Sequence, residues 1–160
     1  MSRAQLALNV ADLEASVTFY SKLFGVEPAK RRPGYANFAI VDPPLKLVLI
    51  EGEPGQETRL DHLGVEVETT DQVATAATRL KDAGLATSEE NDTSCCYALQ
   101  DKVWVTGPGK EPWEVYVVKA DAGRLGRSRV LDGDACCAGS GGTAGTTSSA
   151  PTAAGCACGG

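Results

Sequence analysis

A strand followed by a capped helix occurs twice in this chain, 57 residues apart, and that repetition limits the fold more than any other feature. Gln5-Leu-Ala-Leu-Asn-Val10 alternates as a half-buried strand does. Asp12 can then cap a helix whose apolar stripe runs Leu13, Val17, Tyr20, Phe24 and stops at Gly25. His62-Leu-Gly-Val-Glu-Val67 repeats the strand, and Asp71 caps a second helix with Val73, Ala76, Ala77 and Leu80 on one side and Gly84 as its stop. Three strands are expected after each helix, at 27–32, 35–41 and 45–51 and then at 86–91, 95–106 and 113–118. Pro33-Gly34, Pro43-Pro44, Gly107-Pro108-Gly109 and Pro112 punctuate them. The predicted fold is α+β, with two tandem βαβββ modules at about residues 3–51 and 60–119 forming a curved, barrel-like sheet around a shared cleft.

Charge and composition narrow the function. A net charge of −6 with no basic run longer than Lys30-Arg31-Arg32 argues against nucleic acid as a partner. The longest aliphatic run, 47–50, is far short of the ~20 residues that cross a bilayer. Asp12 and Glu14 interrupt the first apolar segment and no small-residue cleavage site follows it, which predicts a soluble, cytoplasmic protein. Six Cys in such a chain read as soft ligands rather than a disulfide framework. From residue 138 to the end there is no charged, aromatic or branched aliphatic side chain, so this stretch cannot offset its own ordering entropy. The expected organisation is a folded unit over 1–122 and a flexible Gly/Ala/Ser/Thr-rich tail over 123–160 carrying Cys136, Cys137, Cys156 and Cys158.

Strand alternation then selects the side chains that face the cleft. If Leu6, Leu8 and Val10 pack on the first helix, Gln5, Ala7 and Asn9 face the other way. If Leu63, Val65 and Val67 pack on the second, His62, Gly64 and Glu66 face the cleft. Glu114 and Tyr116 follow from Val115 and Val117 by the same rule. Gln5, His62 and Glu114 supply an amide oxygen, an imidazole nitrogen and a carboxylate, a set that suits a divalent first-row metal with positions left open. Ala7 and Gly64 would leave space for a substrate. Aligning Pro44-Leu45-Lys46-Leu47 with Pro112-Trp113-Glu114-Val115 makes Lys46 the mate of Glu114, and a protonated lysine cannot bind a metal. Three protein ligands are therefore expected, not four. Taken singly, His62 reads as a packed histidine and Glu114 as a solvated strand residue; their matching positions in a repeated module carry the inference.

The paired βαβββ pattern over residues 3–119, with Gln5, His62 and Glu114 on equivalent inner strands, resembles the vicinal oxygen chelate superfamily of glyoxalase I, extradiol dioxygenases and bleomycin-resistance proteins. Val17-Thr-Phe-Tyr-Ser-Lys-Leu-Phe-Gly25, Pro33-Gly-Tyr-Ala-Asn-Phe38, Cys95-Cys-Tyr-Ala98 and Asp101-Lys-Val-Trp104 are similar, more narrowly, to the ArsI-type carbon-arsenic lyase and cadmium-induced protein group. That resemblance implies an Fe(II)-dependent and dioxygen-dependent lyase acting on trivalent organoarsenicals and releasing inorganic As(III). No catalytic residue beyond the metal ligands is implied.

The vicinal pair Cys95-Cys96 is the substrate clamp in this reading. Adjacent Cα atoms lie ~3.8 Å apart, below the ~4.4–6.8 Å of an ordinary disulfide, so reduced thiols are expected. Two thiolates can occupy the two exchangeable positions of a trivalent arsenical that bears one carbon group. In a regular strand the two would point to opposite faces, and the polar run Asn91-Asp92-Thr93-Ser94 is expected to put them on a loop at the cleft rim. The plainer reading of the pair is two small residues filling a strand end. Tyr97 and Lys102 are read as an ordinary strand residue and a solvated charge. Cys136, Cys137, Cys156 and Cys158 would capture arsenic or cadmium and deliver it, or scavenge it. The rival readings are a non-enzymatic cadmium or arsenic binder and another metal-dependent enzyme of glyoxalase or thiol-transferase type.

Overall fold

In the computed structural model, residues 2–95 and 97–123 are described. The chain runs β1 (Arg3–Val10), α1 (Leu13–Phe24), β2 (Lys30–Arg32), β3 (Tyr35–Ile40), β4 (Leu45–Glu51), β5 (Arg59–Glu66), α2 (Thr70–Asp82), β6 (Thr87–Cys95), β7 (Ala98–Thr106) and β8 (Pro112–Asp121). The order is βαβββ twice over, as the repeat predicts. Cys96 and the tail expected over 123–160, with Cys136, Cys137, Cys156 and Cys158, lie outside the described residues except for Gly123.

Local chemistry sets the helix ends. The Asp12 carboxylate accepts from the Ala15 amide at 2.9 Å, and Gly25 closes α1 in the left-handed region at φ 67°. The second cap differs from the expectation: Thr69, not Asp71, is the N-cap, and it forms a capping box with Gln72. Asp71 instead places its charge in the first turn, where the helix dipole favours it.

All strands join one curled sheet in the order β2-β3-β4-β1-β5-β8-β7-β6. Each module contributes four neighbours, and β1 and β5 meet antiparallel at the junction. β1 also pairs parallel with β4, and β5 with β8. The convex face carries the helices. Val10, Leu13, Val17, Phe38 and Leu49 form one core beneath α1, and Val73, Ala77, Leu80, Val103 and Val117 form another beneath α2. Of the three β5-side residues expected against α2, Val67 packs there, but Val65 is 37% exposed. The reason is position: α2 lies over β6, β7 and β8, and β5 runs in the gap between the two helices.

On the concave side the two ends of the sheet are tied together. Tyr97 stands at the β6–β7 turn with φ 59° and stacks edge-on against Tyr35 at 5.4 Å. Its hydroxyl donates to the Pro33 carbonyl at 3.2 Å, and its own carbonyl accepts from Lys30 Nζ at 3.3 Å. Tyr97 is thus a buried tie across the cleft and not an ordinary strand residue, because it stands in the turn before β7, past the end of the ladder. The polar run before it is also not a loop: Asn91 to Ser94 belong to β6, with a bulge between Glu90 and Thr93 where Asp92 takes φ 53°.

Candidate metal centre

The register explains how three distant side chains meet. Gln5 on β1 lies opposite Gly64 on β5, Gly64 lies opposite Glu114 on β8, and Glu114 lies opposite Trp104 on β7. His62 occupies the next inward position of β5, opposite Ala7. With no side chain on Gly64, Gln5 and Glu114 reach each other over its Cα; a Cβ there would sit 3.2 Å from both Gln5 Cβ and Glu114 Cγ. The space above Gly64 is therefore filled by these two side chains and is not open for a substrate as the sequence suggested. Ala7 likewise packs under Tyr35, Val48 and Tyr97.

Gln5 Nε2 lies 2.8 Å from His62 Nε2 and donates to Glu114 Oε1 at 2.8 Å, while His62 Nε2 is 3.3 Å from Glu114 Oε1. All three residues are buried. A divalent first-row ion bound at about 2.1 Å puts neighbouring ligand atoms roughly 3 Å apart when they subtend a right angle. The three end atoms have that spacing once the Gln5 amide presents its oxygen. Among the described residues, no three His, Cys, Asp or Glu side chains group to hold a metal; the further oxygen donor beside His62 and Glu114 is the amide of Gln5. The donor set fits a borderline divalent cation with open positions, Fe(II) included.

Each of these side chains is held from behind. His62 Nδ1 lies 2.6 Å from Asp61 Oδ1, and Asp61 Oδ2 accepts from Asn9 Nδ2 at 2.8 Å. This places Nδ1 toward a carboxylate and turns Nε2 to the cleft. Burial works against charge on the imidazole, but hydrogen bonds and charge from Asp61 and Glu114 outweigh it and hold its pKa up at about 9. For Glu114, burial opposes ionisation, yet His62 and Lys102 together hold the carboxyl down at about 2. Lys102 Nζ donates to Glu114 Oε2 at 2.7 Å, leaving Oε1 for the cleft.

Lys102 corrects the sequence reading most sharply. It is 1% exposed, not a solvated charge, and its ammonium lies over the Trp104 ring at 5.1 Å and the Tyr116 ring at 5.9 Å. The signal was available: Gln100, Lys102 and Trp104 alternate along β7 with Asp101 and Val103, so a lysine sits in the cleft-facing period. Lys46 stands opposite Gln5, buried, with Nζ 2.9 Å from Glu66 Oε2, so its charge is drawn away from the three-residue centre. The Tyr116 hydroxyl meets both Gln5 Oε1 and Glu66 Oε2, the latter at 2.8 Å. Burial and the neighbouring carboxylates of Glu66 and Glu114 raise the Tyr116 pKa well above its ordinary value, so it stays a neutral phenol.

Cys95 ends β6 opposite Ala98 and is buried. Opposed residues share a face, which puts Cys95 at the turn end of the β7 row that carries Gln100, Lys102 and Trp104. Cys96, the other half of the expected clamp, is outside the described residues.

Residues 3–115 match the Glyoxalase/Bleomycin resistance protein/Dioxygenase superfamily. The chain belongs to this superfamily. It is 72% identical to a trivalent organoarsenical cleaving enzyme of Thermomonospora curvata, covering 86% of this chain and 89% of that protein. It is 60% identical to the cadmium-induced protein CadI of Mycobacterium tuberculosis, covering 87% and 95%. Both bear out the narrower resemblance read from the sequence. Among solved structures, homoprotocatechuate 2,3-dioxygenase of Brevibacterium fuscum superposes with a TM-score of 0.54 at 22% identity, over 77% of this chain and 38% of that one. At that identity the likeness concerns the superfamily fold, a curled eight-stranded sheet with two helices.

Proposed function

We propose that this member of the superfamily cleaves the carbon-arsenic bond of trivalent organoarsenicals, using Fe(II) held by Gln5, His62 and Glu114 together with dioxygen, and releases inorganic As(III). The observation that carries this reading is the convergence of those three side chains to within 2.8–3.3 Å of one another in a chain 72% identical to an organoarsenical cleaving enzyme. When bound, Fe(II) would supply the redox activation of dioxygen that no side chain can provide.

The protein's own residues account for the rest. Asp61 fixes the imidazole with Nε2 toward the cleft, and Lys102 neutralises the distal oxygen of Glu114, so one anionic oxygen faces the centre. Cys95 and its sequence neighbour Cys96 take the arsenic through thiolates and hold the carbon group toward the centre, which supplies proximity. Dioxygen suffices as oxidant: methylarsenous acid plus one dioxygen balances to arsenous acid plus formaldehyde. The carbon is oxidised, the arsenic stays trivalent, and no further reductant enters.

The decisive experiment is anaerobic reconstitution with Fe(II), addition of methylarsenite and then air, with arsenic speciation by chromatography. Release of As(III) with matched oxygen uptake supports the reading, and its absence in iron-loaded protein overturns it. The likeness to CadI favours a second reading, a non-enzymatic binder of cadmium or arsenic. That reading predicts tight thiol-dependent binding with no oxygen consumption in the same assay. A cytoplasmic location fits the reduced thiols that the clamp requires.

A further inference from the structure

The hydrogen-bond partners of Tyr116 cannot all be satisfied in one arrangement of Gln5. Tyr116 has one hydroxyl proton, and its oxygen meets Gln5 Oε1 on one side and Glu66 Oε2 on the other. Glu66 is an acceptor only: Arg3 bonds its Oε1 at 3.0 Å, and Lys46 holds its Oε2 at 2.9 Å. Burial opposes charge on Glu66, but Lys46, Tyr116 and Arg3 lower its pKa. Two acceptors thus compete for one proton, and one contact is left as oxygen against oxygen.

A half-turn of the Gln5 amide removes the conflict. Its two ends are nearly equal in size, so the turn needs no new space. Nε2–H then donates to the Tyr116 oxygen, and Tyr116 donates to Glu66. The amide oxygen now points at His62 Nε2 and Glu114 Oε1, so the three end atoms can face one cation once Nε2 carries no proton.

We propose that Tyr116 is the positioning residue that, backed by Glu66, turns the amide oxygen of Gln5 into the cation site. The inference rests on the ligand set given under the proposed function and adds the relay that orients its neutral member. Tyr116 touches no reacting atom. It is fully buried on β8, two residues beyond Glu114, so its hydroxyl is fixed by the sheet rather than by a mobile side chain.

The test is a double-mutant cycle read as cation affinity: stripped protein is titrated with Co(II), followed by its visible absorption, and with Fe(II) under anaerobic conditions. Tyr116→Phe should weaken binding roughly tenfold. In a Gln5→Glu background, where the side chain offers an oxygen whichever way it turns, the same change should cost no more than about twofold. An equal loss in both backgrounds, or no loss with Gln5 present, overturns the positioning role.

Glu66→Met supplies a second reading of the relay if Tyr116→Phe does not fold. With no acceptor at position 66, the freed Lys46 ammonium would donate to the Tyr116 oxygen and the phenol proton would pass to Gln5 Oε1. That traps the amide the wrong way round, so affinity should again fall roughly tenfold and recover with Gln5→Glu; equal loss in both backgrounds counts against the relay. Failure of the unsubstituted protein to bind either ion would instead overturn the ligand assignment itself.

Discussion

Lys102 Nζ lies 2.7 Å from Glu114 Oε2, and both side chains are sealed from water. A buried carboxylate is tolerable only with such a partner, and the partner also decides which of its oxygens is left for the cleft. Replacing Lys102 with Met should therefore cost up to about 3 kcal/mol in the stripped protein, by leaving His62 as the one positive partner of the carboxylate among those that hold its pKa down. A bound divalent cation supplies the missing positive charge, so Co(II) should raise the thermal midpoint of the variant more than that of the unsubstituted protein. Equal shifts would show that the lysine does not balance the charge of the cleft.

Gly64 is where the sheet lets two ligands cross. An added Cβ meets Gln5 Cβ and Glu114 Cγ at 3.2 Å and Gln5 Nε2 at 3.3 Å, so both side chains must move by a few tenths of an ångström. Gly64→Ala should keep the fold at an overpacking cost of about 1–3 kcal/mol. Because the movement falls on the ligand end atoms, cation affinity should drop roughly tenfold, measured by Co(II) titration. Unchanged affinity would place the metal away from these groups.

Two substitutions should separate holding the metal from holding the substrate. Glu114→Gln removes the anionic member of the set and should weaken Fe(II) binding, assayed by metal content after desalting. Cys95→Ser should leave iron bound and abolish As(III) release, because a hydroxyl does not replace a thiolate toward arsenic. Retained turnover in the serine variant would eliminate the clamp.

Acid sensitivity should come in part from Asp101, which lies on β7 but faces away from the cleft. It accepts from the Thr70 hydroxyl at 2.8 Å and from the Asp92 amide at 2.9 Å, and Lys119 lies 3.2 Å away. Burial opposes its ionisation, yet these donors hold its pKa below the ordinary 3.8. A lowered carboxylate pKa stabilises the fold fully above the unfolded value, and that stability is lost as pH falls through the folded value. Asp101→Asn should thus cost about 1–3 kcal/mol at neutral pH. The gap from the unsubstituted protein should narrow as the pH is taken below the ordinary 3.8 and through the lowered folded value, as urea unfolding across that range will show.

Much of the architecture was legible because repetition and alternation are local properties. The two helices, the succession of elements along each module and the inward period of β1, β5 and β8 follow from spacing of apolar residues, and this spacing alone singles out Gln5, His62 and Glu114. The surroundings of Lys102 and Tyr97 are not legible in the sequence for a physical reason: a lysine in an alternating strand looks the same whether its period faces water or a carboxylate on the adjacent strand, and a tyrosine in a turn does not announce what it will touch. The capping residue of α2 was missed because Thr69 and Asp71 are both good caps, and the capping box with Gln72 decided between them.

What the sequence determined alone is the chemistry on offer: an amide, an imidazole and a carboxylate placed by strand period on one face of a duplicated unit, and a vicinal thiol pair elsewhere in the sequence. The tertiary structure decided how they are used. Register across β1, β5 and β8 brought Gln5 and Glu114 over Gly64, pairing drew Lys46 to Glu66 and Lys102 to Glu114, and a single phenol proton between Gln5 and Glu66 tied the orientation of the amide to its surroundings. Alternation fixes only which face a side chain takes, whereas the partner on that face depends on hydrogen-bond register between strands whose contacting residues lie up to 111 positions apart.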